Sequence, residues 1–387
     1  MDNFAVPRIA RDVAIVLPHL HGGGAERVAV NLANHYVAHG LAVDVVLMQA
    51  GGALDAHLDP RIQIVDLGAA RLRGMALPLM RYLRAARPRS ILANMWPVTV
   101  LVVALARLVL RRARVVAVEH TTWSQDHLFA SRLRRLAIRM SMRLVFPFAD
   151  AVVSVSDGAS DDLAKVAWMR RAAVTTIHNP ISGVPRASLL PPSTPAAWCQ
   201  GEHRRVLAVG RLKPIKDYPT LLRAFALLRR RMDARLLILG EGGERHALQA
   251  LAAELGLEEA LSMPGFAGDP APYFAHADLH VLSSKGEGFG NVLVEALEQG
   301  TPVVSTDCLS GPREILGDGR YGALVPVGDA VALAEAMFDA LSRPVDRDGL
   351  RRRAADFGID RAARAYSELL GLEWSEAAPS EGDASMA

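Results

Sequence analysis

Two glutamates eight positions apart, Glu287 and Glu295, stand in the stretch GEGFGNVLVEA, with Gly288, Phe289 and Gly290 between the first of them and an apolar run that reads as a helix from Asn291. Glycines let the backbone approach a ligand, and the free amides and positive dipole end of a helix start attract an anion such as a diphosphate. Glu295 falls in the second turn of that helix. Side chains there lean toward the N-terminus, so its carboxylate is placed to accept two neighbouring hydroxyls, as a ribose offers. Glu287, ahead of the helix, is a second carboxylate in the same glycine-rich loop, able to accept hydrogen bonds from a ligand held there. Standing alone, such a residue more often only complements a helix dipole.

Arg211 and Lys216, in VGRLKPIKD, follow a strand that ends in Gly210 and offer fixed cations to a diphosphate leaving group. Gly22, Gly23 and Gly24 precede the first helix, where their amides can close over a phosphate from the opposite side. Their spacing is not G-x-G-x-x-G, which disfavours a dinucleotide-dependent dehydrogenase. His120 follows a strand beside Glu119 and Thr121. The one Asp-x-Asp, Asp346 to Asp348, lies in a late loop rather than at a strand end, so no essential metal is expected.

The elements that must carry these residues alternate. Val13 to Pro18, Val43 to Met48, Ser90 to Asn94, Arg114 to Glu119 and Ala151 to Ser156 are short apolar runs that predict strands, separated by helical stretches such as Ala25 to His39. A Pro- and Ser-rich segment, 181–203, reads as a linker. A second series of strands follows at Arg205 to Gly210, Arg235 to Gly240, Ala260 to Pro264, Leu279 to Ser283 and Pro302 to Ser305, with helices from Tyr218, Glu244, Tyr273 and Asn291. The expected fold is α/β: two Rossmann-like, doubly wound domains, 1–180 and 204–350, facing each other across a cleft. An amphipathic helix within 351–373 is expected to pack back on the first domain, and 374–387 to form a disordered polar tail. Ligands of such sheets bind beyond the strands' carboxyl ends, which is where the loops named above lie, together with Gly265 and Phe266 after another strand.

Composition bounds the setting. In 387 residues, a hydrophobic share of 51% and a charged share of 22% supply two cores. Cys199 and Cys308 have no metal-ligand spacing and suggest neither a disulfide framework nor a zinc site. The N-terminus lacks the apolar run of a secretory signal, and Pro97 to Leu110 is shorter than the roughly 20 apolar residues a bilayer requires. A cytoplasmic protein is expected. Residues 1–180 hold 22 Lys+Arg against 13 Asp+Glu, so this half is the one suited to an anionic surface. Its Arg132, Arg134, Arg135, Arg139 and Arg143 interleave with Leu133, Leu136, Ile138, Met140, Met142 and Leu144, a pattern that fits either an anionic membrane or an ordinary packed helix. Stacking aromatics are not interleaved with the arginines, which disfavours nucleic acid.

HGGGAERV near the start, VEHT at 118–121, HNP at 178–180, VGRLKPIKD at 209–217, LGEG at 239–242 and the Glu287/Glu295 pair occur in this order over nearly the whole chain. The series resembles the retaining glycosyltransferases of family 4, which have the two-domain GT-B fold. That resemblance implies catalytic roles for Glu287, His120, Arg211 and Lys216. It also implies a donor site formed by Gly22, Gly23, Gly24, Arg211, Lys216, Gly265, Phe266, Glu287, Gly288, Phe289, Gly290, Asn291 and Glu295. The stretch TDCLSGPREIL, 306–316, is similar to members that use UDP-hexoses or UDP-N-acetylhexosamines to build lipopolysaccharide, lipid-linked oligosaccharide or exopolysaccharide; within it Arg313 and Glu314 read as the start of a helix. The resemblance further implies a UDP-sugar donor, no cofactor or metal, a lipid-linked or glycan acceptor on the basic first domain, and transfer at one face of the sugar with the departing phosphate taking the acceptor's proton. A peripheral place on the inner face of the plasma membrane would suit such an acceptor. The competing readings are a GT-B-fold UDP-sugar epimerase or phosphorylase, and a non-catalytic scaffold that binds sugar nucleotides.

Overall fold

The computed structural model describes residues 11–125, 131–181 and 189–373; the expected tail at 374–387 lies outside the described residues. The first half forms a seven-stranded sheet from β1 (Val13–Leu17), β2 (Val43–Leu47), β3 (Gln63–Asp66), β4 (Ser90–Asn94), β5 (Arg114–Glu119), β6 (Ala151–Ser154) and β7 (Val174–Thr176). The strands are all parallel, in the order β3-β2-β1-β4-β5-β6-β7. Every residue of β1, β2 and β4 is buried, as expected of strands covered by helices on both faces. Those helices are α1 (Gly24–Ala38), α2 (Leu72–Ala86), α3 (Val98–Val109), α4 (Arg132–Val145) and α5 (Asp157–Val166).

The second half repeats the plan. After α6 (Ala196–Cys199) come β8 (Arg204–Val209), α7 (Tyr218–Arg229), β9 (Ala234–Leu239), α8 (Arg245–Glu254), β10 (Leu261–Gly265), α9 (Ala271–His276), β11 (Leu279–Leu282), α10 (Asn291–Glu298), β12 (Val303–Thr306), α11 (Pro312–Ile315), β13 (Ala323–Val325) and α12 (Ala330–Ser342). This sheet is also parallel, in the order β10-β9-β8-β11-β12-β13. The strand order reverses between β1 and β4 in one sheet and between β8 and β11 in the other, so each domain presents a crevice at that point.

Two boundaries differ from the sequence expectation. Within the segment read as a linker, Trp198 is fully buried and donates Nε1–H to the Val206 carbonyl at 3.0 Å, so this turn of helix belongs to the second domain. Proline and serine around it mask a single large anchor. The late basic stretch is two helices, α13 (Arg347–Ala355) and α14 (Ile359–Leu370), parted at Phe357 and Gly358, the residue that caps α14. Arg353 of α13 donates to the Glu314 and Ile315 carbonyls, and Arg351 and Arg347 to Gln299 and Gly300, which keeps α13 on the second domain. Only α14 crosses back to the first domain: Tyr36 Oη donates to the Ala363 carbonyl at 3.3 Å and Ser90 Oγ to the Leu370 carbonyl at 2.6 Å. One apolar core runs through this junction, holding Tyr36, Phe289, Phe357 and Tyr366.

Candidate functional site

The loop between β11 and α10 lies at the second sheet's switch point and is gripped from both domains. Thr122 Oγ1, just after β5 and the loop that follows it, donates to the Glu287 carbonyl at 2.5 Å and lies 2.6 Å from Ser310 Oγ. Ser156 Oγ, which caps α5 by accepting from the Ala159 amide, donates to the Gly288 carbonyl at 2.6 Å. Gly288 is pressed so closely against the first domain that a Cβ there would stand 2.0 Å from the His120 carbonyl oxygen. The Glu287 carboxylate accepts from Lys216 Nζ and from Ser284 Oγ, both at 2.5 Å on Oε1. Arg211, which follows the same strand as Lys216, is exposed and makes no ion pair among the described residues.

Gly290 takes φ +99° as the N-cap of α10, whose first-turn amides have no carbonyl of a preceding helical turn to bond. Asn291 bridges the domains: its Oδ1 accepts from Asn179 Nδ2 at 2.9 Å and its Nδ2 donates to the Gly24 carbonyl at 3.3 Å. Glu295 is half-buried and accepts no hydrogen bond among the described residues. Burial raises its pKa, opposed by the positive charge of Arg27 from α1.

His120 faces the same cleft from the first sheet. Asn94 Nδ2 donates to the Val16 and Leu92 carbonyls, so its Oδ1 is the acceptor for His120 Nε2 at 3.1 Å. The ring proton is thereby fixed on Nε2, and Nδ1 is a buried acceptor without a partner among the described residues. Burial lowers the His120 pKa to about 4, which keeps the ring neutral. Its neighbour Glu119 points the other way, accepting from Thr99 Oγ1 at 2.7 Å and the Trp96 amide at 3.2 Å; burial raises its pKa to about 7.

Three expectations change here. The Gly23 amide is not free for a phosphate, because it donates to the Glu26 carboxylate at 2.5 Å, which lies 3.1 Å from His19 Nδ1. The acid three residues into the helix has taken the cap, as such sequences favour. Phe289 does not present its ring to the cleft: it is 2% exposed, stacked on His178 at 5.4 Å and edge-on to Phe357 at 5.4 Å. Glu314 does more than start a helix. Its carboxylate accepts from the Asp157 and Gly158 amides at 2.8 and 3.0 Å and from His178 Nε2 at 3.1 Å, clasping the second domain to the start of α5. Burial pushes its pKa up, but those three donors outweigh it and the net shift is downward.

Gly22 faces the exposed ring of Phe266, whose Cζ is 3.2 Å from where a Gly22 Cβ would sit, and Gly265 precedes it at φ +111°. Arg27 donates across the cleft to the Gly268 carbonyl at 3.2 Å. Asp346, of the Asp-x-Asp, caps α13 through the Gly349 amide at 2.8 Å. The sequence reading did not single out Asn94, Thr122 or Ser156 and gave Glu314 only a helix start; the signal for Ser156 was its position as a serine directly before an acidic helix start.

Paired Rossmann-like domains with a carboxylate, a lysine and a helix N-terminus gathered in the cleft define a GT-B glycosyltransferase. A family model described as Glycosyltransferase Family 4 matches residues 22–182, and one described as Glycosyl transferases group 1 matches residues 199–357. The chain is 32% identical over 278 residues to the N-acetylgalactosamine-N,N'-diacetylbacillosaminyl-diphospho-undecaprenol 4-alpha-N-acetylgalactosaminyltransferase of Campylobacter jejuni, covering 69% of this chain and 72% of that one. It is 33% identical to the lipopolysaccharide core biosynthesis glycosyltransferase LpsE of Rhizobium meliloti, over 61% of this chain and 65% of that one. The solved structure of Anabaena HepE with UDP and glucose shares the fold, with a TM-score of 0.75 at 21% identity over 94% of this chain and 100% of that one. The chain belongs to glycosyltransferase family 4.

Proposed function

We propose that this enzyme moves a hexose or N-acetylhexosamine from a UDP-sugar, with retention of anomeric configuration, to a lipid-linked or polysaccharide acceptor in lipopolysaccharide, exopolysaccharide or oligosaccharide assembly. The observation that carries the reading is the meeting, at one switch point, of the α10 N-terminus, Lys216 and Glu287 with His120 from the other domain. The names of the Campylobacter and Rhizobium relatives support the acceptor class.

In this reading the donor diphosphate lies against the α10 amides, with Arg211 and Lys216 offsetting its charge as the bond to the sugar breaks. Glu295, with both carboxylate oxygens free of other donors, takes the ribose hydroxyls. Glu287 faces the sugar, and the neutral His120 accepts a sugar hydroxyl at Nδ1. The acceptor oxygen bonds to the anomeric carbon on the face from which the diphosphate leaves, and a phosphate oxygen takes the acceptor's proton. This route needs no carboxylate nucleophile, unlike that of a retaining glycosidase. It assigns no step to a metal or cofactor.

The acceptor side is the first domain, working at an anionic membrane surface on the cytoplasmic side. Leu133, Leu136, Met140 and Leu144 of α4 are exposed on one face, opposite the buried Ile138 and Met142. Arg132, Arg139 and Arg143 flank that apolar ridge, and each arginine near anionic lipid contributes about 1 kcal/mol. No helix among the described residues is long and apolar enough to cross a membrane.

The test is UDP release from a panel of UDP-hexoses and UDP-N-acetylhexosamines, with and without undecaprenyl-diphosphate-linked sugar acceptors. Acceptor-dependent release is expected. A sugar epimer formed without acceptor would support an epimerase instead, and no turnover with any pair would leave only a binding role.

A further inference from the structure

At the end of the first sheet remote from the cleft, six arginines ring one pocket of about 550 Å3: Arg84, Arg87, Arg89, Arg111, Arg112 and Arg114. Ser90 and Arg114 begin β4 and β5, whereas Asn94 and His120 at the other ends of those strands face the cleft. Among the described residues no carboxylate lines the pocket. Among the described residues Arg84, Arg87, Arg111 and Arg112 make no ion pair, and Arg89 has only Asp12 at 3.7 Å. Arg114 lies over the end of α14, donating to the Leu369 carbonyl at 3.4 Å.

Helix ends explain part of this charge. Three helices finish at the pocket, capped by Arg87, Leu110 and Gly371, and each C-terminus carries roughly half a negative charge. About one and a half negative charges therefore face six positive ones, and the surplus repels itself. Arg87 also sits at φ 45°, ψ 55°, the left-handed helix-capping conformation that glycine adopts without strain. An exposed arginine at such a position retains its charge against a local conformational cost.

We infer that this pocket binds a phosphate-bearing anion, at a site separate from the donor cleft. Guanidinium groups pair with phosphate oxygens two at a time, and several converging forks suit a group with more than one phosphate charge. Its apolar wall, from Val109 and Leu110, leaves room for either a soluble phosphate or a lipid headgroup.

The experiment uses the full chain and the variant Arg87→Gly/Arg111→Ser/Arg112→Ser, with Arg87→Gly alone as a second variant because glycine keeps the backbone conformation at that position. Inorganic pyrophosphate is titrated by calorimetry, and phosphatidylglycerol vesicles are compared with phosphatidylcholine vesicles by sedimentation. The triple variant is expected to bind at least ten-fold more weakly than wild type at an unchanged melting temperature, and Arg87→Gly to show a smaller loss in the same direction. A difference confined to pyrophosphate identifies a soluble phosphate as the ligand, and one confined to phosphatidylglycerol identifies a lipid headgroup. Equal binding of wild type and both variants to both probes overturns the inference. Comparing variants separates this pocket from α4 and from the cleft, and neither readout depends on sugar transfer.

Discussion

Lys216 Nζ stands 2.5 Å from Glu287 Oε1, so the cation suited to a diphosphate and the carboxylate suited to a sugar hold one another in place. Both side chains are largely buried, with 20% and 11% of their surface exposed. Removing either leaves the other as a partly desolvated, unpaired charge. Glu287→Ala and Lys216→Ala are each expected to lower kcat by two orders of magnitude or more, roughly 3 kcal/mol of lost transition-state contact. The double variant should be little worse than the worse single one, because the two act as a unit. Acceptor-dependent UDP release measures this, and near-wild-type turnover in both single variants would remove the site assignment.

The loop behind Glu287 is as tightly specified as its side chain. A Cβ at Gly288 would stand 2.0 Å from the His120 carbonyl oxygen, a backbone atom of the other domain that cannot swing aside. Gly288→Ala is therefore expected to lower kcat/KM at least ten-fold and to cost about 1–3 kcal/mol of stability, the usual range for overpacking. Gly243→Ala, where an added Cβ meets nothing within 4 Å, is the matched control and should change stability by less than about 0.5 kcal/mol.

What the sequence disclosed follows burial. The central strands β1, β2, β4 and β11 are buried throughout and read as mostly apolar runs, broken only by Asp44 in β2, Ser90 and Asn94 at the ends of β4 and His280 in β11. The strands it did not disclose are β3, β7 and β13, all at sheet edges, where QIVD, VTT and ALV are short and partly exposed. The loops that carry Glu287, Lys216 and His120 were legible because glycines and strand ends mark them. The Glu314 clasp was not, since its partners are two backbone amides and a histidine 136 residues away, and nothing in local spacing records such a contact.

That clasp has a measurable pH dependence. The Glu314 carboxyl titrates below its ordinary 4.5 in the folded chain, so its stabilisation is present above that value and is lost as pH falls through the folded pKa. Glu314→Gln removes the charge and part of the acceptor capacity facing the Asp157 and Gly158 amides and His178, which are exposed or half-buried, and weakens three charge-assisted hydrogen bonds at a cost of about 1–3 kcal/mol near neutrality. The gap between variant and wild type should narrow in acid. A gap that stays constant from pH 7 to pH 3 in denaturant titrations would assign the cost to shape rather than charge.

Glu119 and His120 are neighbours whose titrations oppose one another. Burial raises Glu119 from 4.5 to about 7, so its contribution is full below pH 4.5 and declines as pH rises toward 7. Burial lowers His120 from 6.5 to about 4, so its contribution is full above pH 6.5 and declines as pH falls toward 4. Each amounts to roughly 3 kcal/mol at most, and in wild type they offset between those limits. Relative to wild type, Glu119→Gln should gain stability as pH rises from 4.5 to 6.5, and His120→Asn should lose it over the same range. Parallel pH profiles for both variants and wild type would show that neither group titrates abnormally.

Substitutions on the exposed α4 ridge would separate the proposed membrane contact from catalysis. Leu136 and Leu144 are 51% and 60% exposed, so replacing them with serine removes little from the core that Ile138 and Met142 fill on the opposite face. Leu136→Ser/Leu144→Ser should leave the melting temperature within the small range of surface substitutions and leave turnover of a water-soluble acceptor analogue unchanged. Sedimentation with phosphatidylglycerol vesicles should fall several-fold, since binding of an interfacial helix scales with the apolar area it inserts. Raising salt weakens the arginine part of the interaction but not the apolar part, so the wild type should retain more vesicle binding than the variant at high ionic strength. If the variant sediments as wild type does at every salt concentration, the ridge is not the membrane contact.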